Sequence, residues 1–383
     1  MLERGSRALT TNTTLQGFAT LGEFYKKNMN ILKINAPFAL ECGDILPELE
    51  IAYHTYGTLN ADKSNVIWVC HALTGSSDAA DWWAGLIGHG KFFNPFEHFI
   101  VCANMVGSHY GSTSPLSIDP RTGHFYGQNF PVITIRDVTK AHHLLAQHFG
   151  IQQVKLCIGG SMGGQQVLEW AVQEPDFFEQ ICVIACGPKM TPWGIALNET
   201  QRMAIEADPS VSAENVAKIT DLETLKSVGS KGMEAARAIG MLSYRSYEGY
   251  NIAQMDDNDA IDTFKVQSYQ RYQGAKLRQR FNALSYISVS KTMDSHNVGR
   301  NRGGLTKALE LIKADTLIVG IQSDILFPIE EQAALAAYIP KSRFDVINSK
   351  FGHDGFLIEF DQMLSLLEKF TGRKVGSQIS YVI

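Results

Sequence analysis

The sequence predicts an α/β fold: a mostly parallel sheet flanked by helices and interrupted by a large helical insertion. Three observations predict it. Strand-length apolar runs alternate with amphipathic stretches from about residue 40 to 190, as parallel sheets with helical crossovers require. Near Thr191 the alternation stops, and helical periodicity runs on to about Arg302. The alternation then resumes towards the end of the chain.

Taken in order, "NVIWVCHAL" (Asn65 to Leu73) and "HFIVCANMVG" (His98 to Gly107) are β-rich apolar runs that end at turns. "TIRDVTKAHHLLAQHFG" reads as an amphipathic helix closing on Gly150. "VKLCIGG" is a third strand, "GGQQVLEWAVQEP" a helix stopped at Pro175, and "ICVIACG" a fourth strand. The insertion contains "GIALNETQRMAIEAD", "GSKGMEAARAIGMLSYRS" and "IDTFKVQSYQRYQGAKLRQRF", all helical in period. After it, "DTLIVGIQ" is a strand, "IEEQAALAAYIP" a helix and "RFDVINS" a strand. "GFLIEFDQMLSLLEKFTG" is read as one final helix. The expected division is a core of residues 31–190 and 303–383, an insertion of residues 191–302, and a loosely ordered polar extension of residues 1–30.

Composition narrows the function classes. Of 383 residues, 45% are hydrophobic and 19% charged, as in ordinary soluble globular proteins. A net charge of −5 gives no general reason to expect nucleic acid or an anionic membrane as partner. Runs such as "TLIVGI" are too short to span a bilayer. The extension lacks the basic-then-apolar build of a secretory signal. The six cysteines form no zinc-type cluster and read as buried free thiols in a reducing cytosol, so no metal is expected.

The chemistry points to one stretch. Gly159-Gly160-Ser161-Met162-Gly163 fits G-x-S-x-G between a predicted strand and helix, the context of a nucleophile elbow. The phosphate-loop alternative fails, since Gly164 is followed by Gln165 rather than Lys and Ser/Thr. A serine nucleophile needs a base and an orienting acid, and with such an elbow the acid and then the histidine base follow the serine along the chain. Only His296 and His353 come well after Ser161; His353 lies in a Gly-bounded loop after the last strand and is the better base. Asp324, at the exit of "TLIVGIQS", is the candidate acid. Backbone N–H groups of Met162 and of Leu73, in "CHALTG", are the candidate oxyanion donors.

Together "HALTGSSDAADWW", "GSHYGSTSP", "FPVITIRD", "GGSMGGQQVLEWA", "ALNETQRMAI", "ARAIGMLSYRS" and "FGHDGFLIE" resemble the homoserine O-acetyltransferase family of the α/β-hydrolase superfamily. The likeness runs from about residue 32 to 370, in order throughout. It implies Ser161 as nucleophile, Asp324 as acid and His353 as base, with Arg237 and Tyr244 holding the carboxylate of L-homoserine and Asp354 its ammonium. It implies acetyl-CoA as cosubstrate rather than bound cofactor, a ping-pong mechanism, a place in methionine biosynthesis, a cytoplasmic setting and a homodimer formed through the insertion. One departure is His109, where the family often has cysteine; it lines the tunnel mouth or has no role. The rival readings are a plain ester hydrolase, the same family with succinyl-CoA or L-serine, and a non-catalytic scaffold.

Overall fold

The computed structural model describes residues 29–259 and 261–375. Most of the extension expected over residues 1–30 therefore lies outside the described residues. The main sheet has eight strands: β1 (Asn30–Ile34), β2 (Leu49–Tyr56), β3 (Val66–Cys70), β4 (Phe99–Ala103), β5 (Val154–Gly160), β6 (Phe178–Ile184), β7 (Asp315–Ile321) and β8 (Ser342–Ile347). Their spatial order is β1-β2-β4-β3-β5-β6-β7-β8. Only β2 runs against the others, pairing antiparallel with β1 on one side and β4 on the other. All remaining pairs are parallel. The mostly parallel sheet is as expected, but β1 and β2 were not singled out in the sequence. Both are set by pairing with distant segments, and "LEIAYHTY" mixes His and Thr into a strand whose residues are nearly all buried.

Every residue of β3 is buried, and its side chains alternate between two cores. Val66, Trp68 and Cys70 face one, and Ile67 and Val69 the other. Helices α1 (Ile135–His148) and α2 (Met162–Gln173) cover the first face. Trp170 of α2 meets Trp68 edge-on at 5.0 Å. A fully buried side chain of this size contributes on the order of 2–3 kcal/mol. Helix α1 begins where predicted because Thr134 and Asp137 form a reciprocal capping box.

Between β6 and β7 the insertion folds into α3 (Pro192–Glu206), α4 (Ser230–Tyr244), α5 (Lys265–Arg278) and α6 (Ala283–Asp294), with shorter helices between them. Its exit is fastened to the core by partly buried ion pairs, in which only Glu169 is fully buried. Glu169 of α2 pairs with Arg136 at 2.8 Å and with Arg302 at 2.7 Å, while Glu41 takes Arg136 and Arg300. Helix α7 (Ile329–Tyr338) packs Leu335 into the first core, and helix α8 (Phe360–Thr371) covers the second face, where Met363, Leu367 and Phe370 pack.

The final helix differs from expectation. Gly352–Leu357 is a separate 3-10 turn, and α8 starts only at Phe360. The Phe356 carbonyl, which a continuous helix would bond to the Phe360 amide, instead accepts from Trp83 Nε1 at 3.2 Å. The Phe360 amide turns to Ile358. Of the cysteines, five are buried free thiols as expected, but Cys42 is exposed. Among the described residues no helix is long and apolar enough to cross a membrane.

Candidate active site

Ser161 joins β5 to α2 with φ 57° and ψ −126°. A non-glycine residue held there stores about 1–3 kcal/mol of strain, which the surrounding packing must impose. The flanking glycines show how. A Cβ on Gly163 would overlap the Cys70 carbonyl oxygen, and one on Gly160 would meet the Phe356 ring at 2.5 Å. The turn is so closely boxed by β3 and the 3-10 turn that only glycine fits at positions 160 and 163. Ser161 N–H donates to the Ile184 carbonyl at 2.9 Å, which ties the turn to β6.

His353 reaches the same place from the 3-10 turn after β8. Its Nδ1 lies 2.6 Å from Asp324 Oδ2. Asp324 follows β7, and its Oδ1 accepts the Leu326 and Phe327 amides at 2.8 and 3.0 Å. Both oxygens of the buried carboxylate are thus assigned. The outer nitrogen of His353, Nε2, is buried and has no hydrogen-bond partner among the described residues. Burial alone would lower the pKa of this imidazole. The negative charge and hydrogen bond of Asp324, helped by Asp354, outweigh it and hold the pKa above its ordinary value. Phe327 and Phe356 pack on the ring at 5.5 and 5.8 Å between centroids.

Ser161 and His353 open on a cavity of about 570 Å³, whose wall also includes Leu73, Arg237, Tyr244 and Asp354. Met162 and Asp324 are buried behind it. The N–H groups of Leu73 and Met162 donate to no acceptor among the described residues. Such free amides, one of them at a helix N-terminus, suit a developing oxyanion. From the insertion, Arg237 stacks its guanidinium 5.2 Å from the Tyr244 ring centroid and makes no ion pair among the described residues. That leaves its planar fork available to a carboxylate. Asp354 sits beside His353 with its carboxylate 3.4 Å from Arg245 Nε. The eight site residues named from the sequence thus cluster around one cavity.

Two other histidines behave differently. His109 packs against Tyr110 and Phe281, is absent from the cavity wall, and burial lowers its pKa to about 4. His296 is buried, bonds the Gly187 carbonyl at 3.1 Å, and is pushed to about 4 by the same cause. Sequence reading missed Arg245, the partner of Asp354. It also missed Arg280, whose Nη1 donates to the Thr74 carbonyl and the Tyr110 hydroxyl, both at 2.7 Å. Arg280 thereby straps the insertion to the loop that carries Leu73. No local motif marks either arginine; only the folded chain brings Arg280 to the cavity wall and Arg245 to Asp354.

Comparison with known proteins agrees with this architecture. A family model described as the alpha/beta hydrolase fold matches residues 65–360. A homoserine O-acetyltransferase of Cyclobacterium marinum is 47% identical over 333 residues, covering 87% of this chain and 92% of the relative. The crystal structure of homoserine O-acetyltransferase from Bacillus anthracis superposes with a TM-score of 0.82, covering 91% of this chain and 99% of the other. At 23% identity that likeness bears on the fold alone. An acetylester hydrolase from Corynebacterium glutamicum superposes with a TM-score of 0.78 at 26% identity, covering 90% and 96%.

Proposed function

Because the chain belongs to the homoserine O-acetyltransferase family, on the α/β-hydrolase fold, we propose that it moves an acetyl group from acetyl-CoA to the hydroxyl of L-homoserine through an acyl-enzyme on Ser161. One observation carries the reading: the Asp324–His353 contact at 2.6 Å leaves Nε2 unpartnered among the described residues, with His353 on the cavity wall that Ser161 and Arg237 share.

The chemistry proceeds in two halves. His353 Nε2 takes the Ser161 proton as Oγ bonds to the thioester carbonyl carbon. The Leu73 and Met162 amides hold the oxyanion. The C–S bond breaks, and the departing CoA thiolate takes the proton from His353. L-homoserine then enters, with its carboxylate on Arg237 and Tyr244 and its ammonium against Asp354. His353 removes the hydroxyl proton, the new ester C–O bond forms, and the Ser161 C–O bond breaks as His353 returns the proton to Oγ. A bound hydroxyl outcompetes water because its effective molarity is far higher. In this reading acetyl-CoA is a cosubstrate, the product feeds methionine biosynthesis, and the protein works in the cytoplasm. A homodimer through the insertion belongs to the same reading. It is supported by the exposed apolar side chains of Met203 on α3 and Leu242 on α4.

The likeness to an acetylester hydrolase favours a second reading, release of the acetyl group to water. One experiment separates the two: thiol release is followed with acetyl-CoA or succinyl-CoA, with and without L-homoserine or L-serine. Transfer predicts that L-homoserine and acetyl-CoA are both needed for fast turnover and that Ser161→Ala abolishes it. Equal thiol release without an acceptor would replace transfer by hydrolysis.

A further inference from the structure

Gln166 lies on α2, fully buried, one turn beyond the candidate nucleophile. Its amide nitrogen is 3.0 Å from the His71 carbonyl and 3.1 Å from the Met162 carbonyl. These two carbonyls belong to the two chain segments that supply the candidate oxyanion donors. Its amide oxygen is 3.0 Å from His142 Nε2. An amide oxygen only accepts, so His142 presents a proton at Nε2. Burial lowers the pKa of this histidine to about 4, so the ring is neutral and its tautomer is fixed. His142 itself is wedged between Trp68 and Trp170, with ring centroids 5.9 and 5.8 Å away.

The loop side is held just as fully. His71 Nδ1 bonds the Ala72 carbonyl at 2.9 Å, and its Nε2 accepts the Met105 amide at 3.2 Å. The Ala72 carbonyl and the Leu73 N–H are the two ends of one planar peptide, so fixing the carbonyl aims the N–H. Gln166 anchors the peptide just before it, through the His71 carbonyl, and anchors that anchor to the first turn of α2.

We propose that Gln166 is a positioning residue of the oxyanion hole, a single amide group that sets the spacing between the Leu73 and Met162 N–H donors, with His142 fixing which way that amide faces. The inference rests on the reading of Ser161 as nucleophile and of these two amides as oxyanion donors. Oxyanion donors stabilise the transition state only when pre-aimed at the charge that develops. Loosening their spacing therefore slows both halves of the reaction and leaves ground-state substrate binding alone.

The test compares wild type with Gln166→Met, which keeps the length and removes both polar groups, and with Gln166→Glu, which restores a donor and an acceptor when protonated. In Gln166→Met, kcat is expected to fall about 10- to 100-fold, below the cost of deleting an oxyanion donor outright. KM for L-homoserine and for acetyl-CoA should change by no more than about twofold, since uniform binding is untouched. A trifluoromethyl ketone that forms an oxyanion adduct on Ser161 should lose affinity by the same factor as kcat, with Gln166→Glu between the two. A folded Gln166→Met enzyme with unchanged kcat overturns the inference, as does a fall in kcat that the ketone's affinity does not follow. Should Gln166→Met not fold, His142→Phe keeps the ring between the tryptophans and removes only the bond to the amide oxygen. It should show a smaller kcat loss with the same split, and an unchanged kcat there overturns the inference equally. Turnover that survives Ser161→Ala would instead fell the underlying reading.

Discussion

Asp324→Asn keeps the shape of the side chain and changes what His353 can do. Asp324 Oδ1 accepts the Leu326 and Phe327 amides at 2.8 and 3.0 Å, and in asparagine only the carbonyl oxygen can fill that role. The NH2 group must then face His353 Nδ1, where a carboxylate oxygen now sits at 2.6 Å. An NH2 group only donates, so Nδ1 must offer its lone pair and the ring proton moves to Nε2. In that tautomer Nε2 cannot receive the Ser161 proton. Misplacing the tautomer in a Ser-His-Asp triad costs about 10³–10⁴ in kcat, or about 4–5.5 kcal/mol. The fold should survive, because the change is isosteric and both backbone bonds to the side chain remain. The assay is thiol release from acetyl-CoA with saturating L-homoserine, alongside a circular-dichroism melt. A folded variant that keeps a tenth or more of the wild-type kcat would refute the reasoning.

Three further outcomes follow from the same geometry. Arg237→Ala should raise KM for L-homoserine by about 10- to 100-fold, as loss of a charged hydrogen-bonded pair of about 1.5–3 kcal/mol implies. Acylation by the donor alone, read from a single-turnover burst, should stay near wild type; an equal loss in the burst would contradict the carboxylate role. The second outcome concerns pH. The base must be neutral to act, and the negative charge of Asp324 holds His353 above its ordinary 6.5 despite burial. Activity should therefore rise with pH through an acid limb above 6.5, and Asp354→Asn should move that limb downward. A limb at or below 6.5 in the kcat/KM profile would contradict this. Third, Gly163→Ala must push its new Cβ into the Cys70 carbonyl, an overpacking cost of about 1–3 kcal/mol or more. A melt should show a lower Tm together with reduced turnover, and an unshifted Tm would show that the turn has room to spare.

Much of this site was readable before the fold was known, for a local reason. Ser161 stands in a strand–turn–helix passage marked by a local G-x-S-x-G pattern, although the atoms that crowd Gly160 and Gly163 come from distant Phe356 and Cys70. Asp324 and His353 stand at the exits of apolar runs, where a parallel sheet presents its loops on one edge. What was not readable depends on distant pairing. β2 is a strand because it lies between β1 and β4, and nothing within "LEIAYHTY" says so. Trp83 ends the helix that "GFLIEFDQMLSLLEKF" would otherwise continue, from 273 residues away. Arg245 and Arg280 lie in stretches with ordinary helical periodicity, and their partners Asp354 and Thr74 come from the other side of the cavity. Gln166 carries no signal of its own in the sequence, and α2 is buried nearly all round. A helix enclosed on every side gives its polar residues internal partners, and that enclosure is a tertiary property.

The central claim is that Ser161 carries the acetyl group between two substrates. Its most direct test mixes the protein with acetyl-CoA alone, quenches in acid, and maps acetylation by peptide mass analysis. The account predicts an acetyl group on the peptide containing Ser161, lost with formation of O-acetylhomoserine once L-homoserine is added, and absent in Ser161→Ala. Full turnover with no acetylated Ser161 at any time, and kinetics that require both substrates bound together, would contradict it.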